Sequence, residues 1–160
     1  LDSSLDLGPG GIILGMDRIA VEAQLKENAA SLPMAVGMNN HMGSSVTADY
    51  DTMRHVLEVV KELGLFFVDS RTTTSSVVAD VAGQVGIPYG VNNFFIDNES
   101  DVDKIKAQLR SGLALAQRQG HAVLIGHVRP TTVIALWEMI PELLDSGVQF
   151  VPISCLLYED

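Results

Sequence analysis

The chain has 160 residues, 47% of them hydrophobic and 19% charged, with a formal net charge of −10. This composition supports a packed core and excludes an intrinsically disordered chain. It also disfavours a nucleic-acid partner, because proteins that bind polyanions carry basic patches. No apolar run reaches the roughly 20 residues that a membrane span needs. The one cysteine, Cys155, is expected to be a small buried hydrophobe.

Short apolar runs alternate with helical patterns along the chain. Residues 1–15 contain LGPGG and predict a loop. Helices are predicted at 17–31, at 47–63 with Thr47 as the cap, at 75–85, from a capping Ser100 to about 119, and at 131–146 with a bend or restart at Pro141. Strands are predicted between and after them, at 34–38, 65–68, 93–96, 122–125 and 148–153.

Strands that alternate with helices predict right-handed βαβ units and a mainly parallel sheet. The strands are almost continuously apolar, which is typical of a sheet covered on both faces. About five βα units are present, whereas a closed barrel uses roughly eight. The sequence therefore predicts a single α/β domain over residues 1–160, a (β/α) barrel without its first strand or strands.

A polar residue capable of chemistry follows each predicted strand. In parallel α/β folds the carboxyl ends of the strands converge on one face, and that face carries the site. The sequence therefore predicts one shared site built from the residues that end the five strands, namely His41, Asp69, Asp97, His127 and Ser154.

The two histidines in this set are candidate metal ligands, because neutral imidazole is the commonest metal ligand in proteins. Asn39 or Asn40 could orient His41 by a hydrogen bond, and the small Gly43 and Ser44 would let the backbone approach a ligand. His127 follows Gly126 and could bind a metal or donate a proton to a leaving amine. The alternative for each is a histidine held in the structure by hydrogen bonds.

The carboxylates leave more than one interpretation open. Asp69 follows the apolar LFFV, so it must be paired or ligated. It could be a metal ligand, a base, a residue that orients a histidine, or half of a structural pair with Arg71. Ser70 could contact sugar hydroxyls or cap the next helix, and Asp97 could act at the site or begin a turn. No G-x-x-x-x-G-K or G-x-S-x-G pattern occurs, so metal-assisted hydrolysis is favoured over nucleotide or serine chemistry.

Three other residues are expected to lie outside the site. Trp137 has apolar spacing with Ile134 and Ile140, which predicts a core position. His55 in the middle of a helix and His121 after a helix-ending glycine are predicted to be surface residues.

Four blocks of the sequence resemble the divergent polysaccharide deacetylase family: MNNHMGSSVTAD, FFVDSRTTTSSVVADVAGQVGIPY, FFIDN and AVLIGHVRPTTVIAL, in that order. The resemblance extends over nearly the whole chain. This family is a remote branch of the NodB-like carbohydrate esterases, so the resemblance implies a distorted (β/α) barrel. It also implies a hydrolase, located in the periplasm or otherwise outside the cytoplasm, that removes N-acetyl groups from an envelope or extracellular polysaccharide with a metal-bound water.

The resemblance assigns roles residue by residue. A divalent metal, zinc, would be held by His41 and His127, and His127 would be the general acid if it does not ligate. The implied catalytic set also contains Asp69 and Arg71 of the DSR block. Contacts to the sugar are predicted at Asn40, Ser44, Ser70 and Asp97.

The sequence departs from the family pattern at several points. Ser45 stands where a second metal histidine is usual, Val128 stands where a proline usually follows the late histidine, and the segment 91–93 lacks the expected arginine. The chain begins with Leu1, and the resemblance implies a preceding strand that ends in paired aspartates, a ligand and a base. A non-catalytic module that binds glycans or an envelope partner therefore stays open, as does hydrolysis of another bond such as a peptidoglycan amide.

Overall fold

The computed structural model describes residues 8–157. The chain divides into two compact units, with the boundary between Val91 and Asn92, and each unit is described by itself. Both contain parallel strands connected through helices, which confirms the predicted α/β class. Residues 8–15 form turns outside any helix or strand, as predicted, and the rest of that predicted loop lies outside the described residues. Over the described range, no helix is both long and apolar enough to cross a bilayer.

The first unit contains a three-stranded parallel sheet. Its elements in chain order are α1 (Arg18–Ala30), β1 (Gly37–Asn39), α2 (Ser44–Thr47), α3 (Tyr50–Glu62), β2 (Phe66–Asp69), α4 (Val78–Val85) and β3 (Tyr89–Val91). The strand order is β1-β2-β3, and the register pairs Asn39 with Val68 and Asp69 with Val91. The carboxyl ends of the three strands therefore lie at one edge of this sheet.

The core of the first unit forms between the central strand and α3. All four residues of β2 are buried, as expected for a strand covered on both faces. The α3 side chains at helical spacing pack into the same cluster as Phe67, and they include Met53, Val56, Leu57 and Val60.

The start of α3 differs from the prediction. Its cap is Asp49, whose side chain accepts a hydrogen bond from the Thr52 backbone N–H at 2.9 Å. The predicted cap, Thr47, instead belongs to α2, and its hydroxyl donates back to the carbonyl of Gly43 at 3.3 Å. The prediction was wrong because residues 44–47 form a short helical turn of their own.

The second unit contains two paired strands and two long helices. Its elements are β4 (Phe94–Phe95), α5 (Val102–Gln119), β5 (Leu124–Ile125), α6 (Pro130–Asp145) and a 3₁₀ helix (Ile153–Leu156). β4 and β5 are parallel, so Ile96 and Gly126 both follow strand ends at the same edge. Its hydrophobic core contains Ile96, Ile105, Leu109, Ala135, Met139 and Leu143.

The cap of one helix in the second unit corrects the prediction, and the restart considered in another does not occur. Asp101, not Ser100, caps α5 by accepting from the Lys104 N–H at 2.9 Å, because the Ser100 hydroxyl lies against the Thr131 hydroxyl. The helix α6 continues through Pro141 without a restart.

The strand predicted at 148–153 is wrong. Its composition is typical of a strand, but within residues 8–157 no strand pairs with it, and an extended segment needs such a partner for its backbone groups. Phe150 and Val151 are exposed, and the 3₁₀ helix begins at Ile153. Conversely, β3 was not predicted, because three residues around Gly90 carry too short a pattern.

The expected core positions of Trp137 and Cys155 are also wrong. Trp137 is 80% exposed, and Cys155 is exposed in the 3₁₀ helix. The buried stripe of α6 runs through Ala135 and Met139. Trp137 lies two residues from each, about 200° around the helix at 100° per residue, which places the indole on the opposite face.

Candidate functional site

The carboxyl ends of β1 and β2 and the loops after them carry six predicted site residues: Asn40, His41, Ser44, Asp69, Ser70 and Arg71. His41 is exposed in the loop after β1. Asn40 accepts a hydrogen bond from the Ser70 backbone N–H at 2.8 Å, and Asn39 donates to the Ser70 hydroxyl at 3.0 Å. The loops that follow β1 and β2 are therefore joined at their first residues.

A second set of contacts connects the same two loops further along. The Ser44 hydroxyl donates to the Thr72 hydroxyl at 3.1 Å, and the Thr72 hydroxyl donates to the carbonyl of Met42 at 3.2 Å. Met42 and Arg71 both have left-handed backbone conformations, with φ of 58° and 55°. Such values are uncommon for residues other than glycine and persist where surrounding contacts hold them. This loop pair is thus tightly specified next to His41.

Asp69 is 3% exposed, and its carboxylate accepts hydrogen bonds from the loop that follows it. One carboxylate oxygen accepts from the Arg71 backbone N–H at 2.7 Å, and the other accepts from the Ser76 hydroxyl at 2.7 Å. The predicted pair of Asp69 with Arg71 is therefore a hydrogen bond to the backbone N–H of Arg71. Arg71 itself is exposed. Asp69 holds the loop between β2 and α4 in its left-handed turn.

The second unit contains an aspartate–histidine pair. Asp97 follows β4, is fully buried, and accepts from the ring nitrogen Nδ1 of His127 at 2.9 Å. Its other oxygen accepts from the His127 backbone N–H at 2.6 Å and from the Thr132 hydroxyl at 2.8 Å. The parallel pairing of β4 with β5 brings these residues together, because Asp97 and His127 each follow a strand by two positions.

Electrostatics fix the protonation of this pair. Burial raises the pKa of Asp97, but hydrogen bonds from the His127 ring, the His127 backbone and Thr132 together hold that pKa below its ordinary value. Asp97 is therefore an ionised carboxylate that can only accept hydrogen bonds. Nδ1 of His127 must carry a proton, which leaves Nε2 as the nitrogen that exchanges protons.

The surroundings leave His127 accessible. Its side chain is 39% exposed, and it lies on the wall of a mainly apolar groove of about 910 Å³ within the second unit. The ring of Phe95 lies nearly parallel to the imidazole, with centroids 6.1 Å apart. The Arg129 guanidinium donates to the carbonyl of Asp97 at 2.8 Å. The imidazole is thus held by the buried Asp97 carboxylate and also lines an open groove. This arrangement suits a side chain that acts on a bound molecule.

The donor set for a metal is thin in the described part of the chain. Among residues 8–157, no group of three His, Cys, Asp or Glu side chains is placed to hold an ion. Asp69 and Asp97 have both oxygens engaged by protein donors. By themselves, these residues do not fit a zinc ion. The expected convergence of His41 with His127 stays a prediction.

Sequence reasoning did not single out Thr132 and Arg129. Both lie in the block AVLIGHVRPTTVIAL, directly after His127, and the proline at position 130 begins α6. The sequence shows a hydroxyl in the first turn of the predicted helix. It does not show that this hydroxyl points toward Asp97, because the two residues are 35 positions apart in the chain. Asp97 was seen as a turn residue or a sugar contact rather than as the partner of His127.

Comparison with known proteins assigns the chain to a class. Residues 1–157 match the family model described as divergent polysaccharide deacetylase. The chain belongs to the divergent polysaccharide deacetylase family, which confirms the resemblance of its motifs.

Two curated relatives and one solved structure are similar to it. An uncharacterized protein of Haemophilus influenzae is 34% identical over 134 residues, and the match covers 84% of this chain and 48% of that protein. The Escherichia coli protein YibQ, also uncharacterized, is 31% identical over 139 residues, covering 87% of this chain and 43% of YibQ. The chain thus spans less than half the length of these relatives.

The solved structure is that of an uncharacterized protein, ATU2773, from Agrobacterium tumefaciens C58. The two structures superpose with a TM-score of 0.93 at 21% sequence identity. The match covers 97% of this chain and 63% of the ATU2773 chain. At this identity the likeness shows the shared α/β fold.

Proposed function

We propose that the chain is part of a hydrolase that removes N-acetyl groups from a polysaccharide, with His127 as the general acid and Asp97 as the residue that orients it. Membership of the deacetylase family supports the substrate class. The observation that carries the catalytic part is the pair formed by buried Asp97 and accessible His127, with Nδ1 and the carboxylate 2.9 Å apart.

The chemistry follows from the demands of an amide bond. Water adds to the acetamide carbonyl and gives up one proton to solvent, and the carbon–nitrogen bond then breaks only if the departing nitrogen receives a proton. His127, doubly protonated, gives the proton on Nε2 to that nitrogen, and the products are acetate and a free amine on the sugar. Asp97 stabilises the positive charge of the imidazolium before transfer and keeps the ring in one orientation.

No step of this proposal runs through a metal. Zinc binding by His41 and His127 stays a separate prediction from the family resemblance. It is tested by the zinc content of the purified chain after dialysis, compared with His41→Ala. Zinc bound by the wild type and lost in the variant would support His41 as a ligand, and equal content in the two proteins would reject it.

Acetate release tests the proposed reaction directly. The purified chain is incubated with chitopentaose, an oligomer of N-acetylglucosamine, and free acetate and new amines are measured together. We expect one amine for each acetate, and a rate that falls at least 100-fold in His127→Asn, since general acid–base catalysis contributes about 10²–10⁴-fold. Acetate release unaffected by this substitution would contradict the assignment of His127.

The second candidate is a module that binds glycans without cleaving them. The specific observation in its favour is the loop pair of the first unit, whose amides and hydroxyls, including Asn40, Ser44 and Ser70, lie at the strand ends in a fixed arrangement. Such groups can bond sugar hydroxyls. Binding of chitopentaose in calorimetry with no acetate released over days would favour this candidate over hydrolysis.

The finer features of the fold and the location belong to the same proposal. We propose that the parallel strands form part of a distorted (β/α) barrel of the NodB type, supported by the family and by parallel pairing in both units. A crystal structure with separate open sheets would reject the barrel.

Location in the periplasm is proposed from the resemblance alone, and fractionation of cells that express the native gene tests it.

A further inference from the structure

The Asp97 carboxylate is anchored unevenly. One oxygen, Oδ1, meets only the His127 ring among the contacts described above, whereas the other, Oδ2, accepts from the His127 backbone and from Thr132. Rotation about the Cβ–Cγ bond of an aspartate is soft and broadly distributed. The two donors on Oδ2 therefore decide which way Oδ1 points, and so whether it meets Nδ1.

Thr132 has little freedom to move away from this position. It is 3% exposed in the first turn of α6, and a β-branched side chain in a helix is restricted at χ1. Gly126, immediately before His127, has no side chain, and a Cβ added there would lie 3.2 Å from the Thr132 methyl carbon. The same Cβ would lie 2.9 Å from carbons of the Ile96 side chain, so the glycine lets Ile96 and the Thr132 methyl group pack close while the Thr132 hydroxyl reaches Asp97.

We propose that Thr132 is a positioning residue that fixes the Asp97 carboxylate so that it holds His127 in the Nδ1-protonated form. This inference rests on the proposed function of His127 as a general acid. Arg129 also bonds Asp97, but its guanidinium donates to the backbone carbonyl of that residue rather than to the carboxylate.

The chain offers a matched control one residue away. The Thr131 hydroxyl lies 2.9 Å from the Ser100 hydroxyl, and none of its described hydrogen bonds reaches Asp97 or His127. Thr132→Val removes the hydroxyl at nearly constant shape, Thr132→Ser keeps the hydroxyl, and Thr131→Val makes the same chemical change next to the site.

The test measures the ring nitrogens of His127 by ¹⁵N NMR at a pH where the ring is neutral, together with kcat and KM on chitopentaose. In wild type, Thr132→Ser and Thr131→Val, we expect one tautomer with the proton on Nδ1. In Thr132→Val we expect a mixture of tautomers and a kcat lowered about tenfold, with KM changed less than about twofold, because the hydroxyl acts on Asp97 rather than on substrate.

The outcomes separate this inference from the proposed function. A single Nδ1-protonated tautomer in Thr132→Val would overturn the role of Thr132, even if the chain releases acetate. A chain that releases no acetate but shows the tautomer mixture supports the positioning role and rejects the reaction. If Thr132→Val does not fold, the comparison of Thr132→Ala with Thr132→Ser carries the same test, and equal spectra would overturn the inference.

Discussion

The two units contain nearly the same strand motif, Phe-Phe-Val-Asp in the first and Phe-Phe-Ile-Asp in the second, yet the aspartates have different partners. Asp69 bonds within its own loop, to the Arg71 backbone and to Ser76. Asp97 bonds across the unit, to a histidine 30 residues away and to Thr132. A buried carboxylate at a strand end can therefore either fix a loop or orient a proton carrier, and the partner decides which.

The largest effect that would test this comparison of Asp69 with Asp97 is expected from removal of the His127 imidazole. We expect His127→Asn to lower acetate release at least 100-fold and to lower the free energy of unfolding by about 1–3 kcal/mol, because the ring donates to the fully buried Asp97 carboxylate. The matched control is His121→Asn at an exposed position, which should change neither quantity. Equal rates in the two variants would place the chemistry elsewhere in the chain.

Replacing each aspartate by asparagine compares the two motifs directly. An amide has one accepting and one donating side. In Asp97→Asn, if the oxygen accepts from Thr132, the NH₂ group faces His127 and forces Nδ1 to give up its proton. We therefore expect a loss of kcat of about 10²–10⁴-fold, the range that general acid–base catalysis contributes, because the ring is held in the wrong tautomer.

Asp69→Asn should behave differently. Its oxygen can still accept from the Arg71 N–H, and the Ser76 hydroxyl can turn to accept from the amide. We expect a loss of about 1 kcal/mol in the unfolding of the first unit and a kcat within about threefold of wild type. Chemical denaturation and the acetate assay measure both. A loss of kcat as large as in Asp97→Asn would give Asp69 the catalytic role that its sequence position predicts.

The lowered pKa of Asp97 also predicts a dependence of stability on pH. A carboxyl group whose pKa is lower in the folded state binds more protons when unfolded, so its stabilisation is present above the ordinary pKa and is lost as the pH falls through the folded value. We expect wild-type stability to decline from about pH 5 downward. Asp97→Asn should show a shallower decline in urea melts. Parallel curves for the two proteins would contradict the lowered pKa.

The smallest effect is expected on the face of α6 that is turned to solvent. Trp137→Ala should change the free energy of unfolding by less than about 0.5 kcal/mol, whereas Met139→Ala, which empties a buried position in the same helix, should cost about 2–5 kcal/mol. Differential scanning calorimetry compares the two. A large loss in Trp137→Ala would mean that the indole is covered in solution.

Prediction from sequence succeeded where the signal is local. The helical spacing in α3 and the glycine that ends α5 are properties of adjacent residues, and they located these helices within a few positions. It failed where the outcome depends on distant partners. The run at 148–153 has strand composition, but pairing is a property of two segments, and within residues 8–157 it finds no neighbouring strand.

The candidate site shows the same division. The positions of Asp69, Asp97 and His127 at strand ends follow from the alternation of strands and helices, and the sequence predicts each of them. The partners of those residues do not follow, because the direction of a side chain is set by packing around it. The hydroxyl of Thr132 reaches Asp97 from a buried position beside Gly126, whose missing side chain lets Thr132 and Ile96 pack close.

The exposure of Trp137 has a practical consequence for studies of this molecule. It is the only tryptophan in the sequence, so ultraviolet fluorescence from indole reports on a single face of α6. In water that emission should lie at long wavelength and be quenched readily by iodide. Any glycan, protein or lipid that covers this face would move the emission toward the blue and protect it from the quencher, without a label attached to the chain.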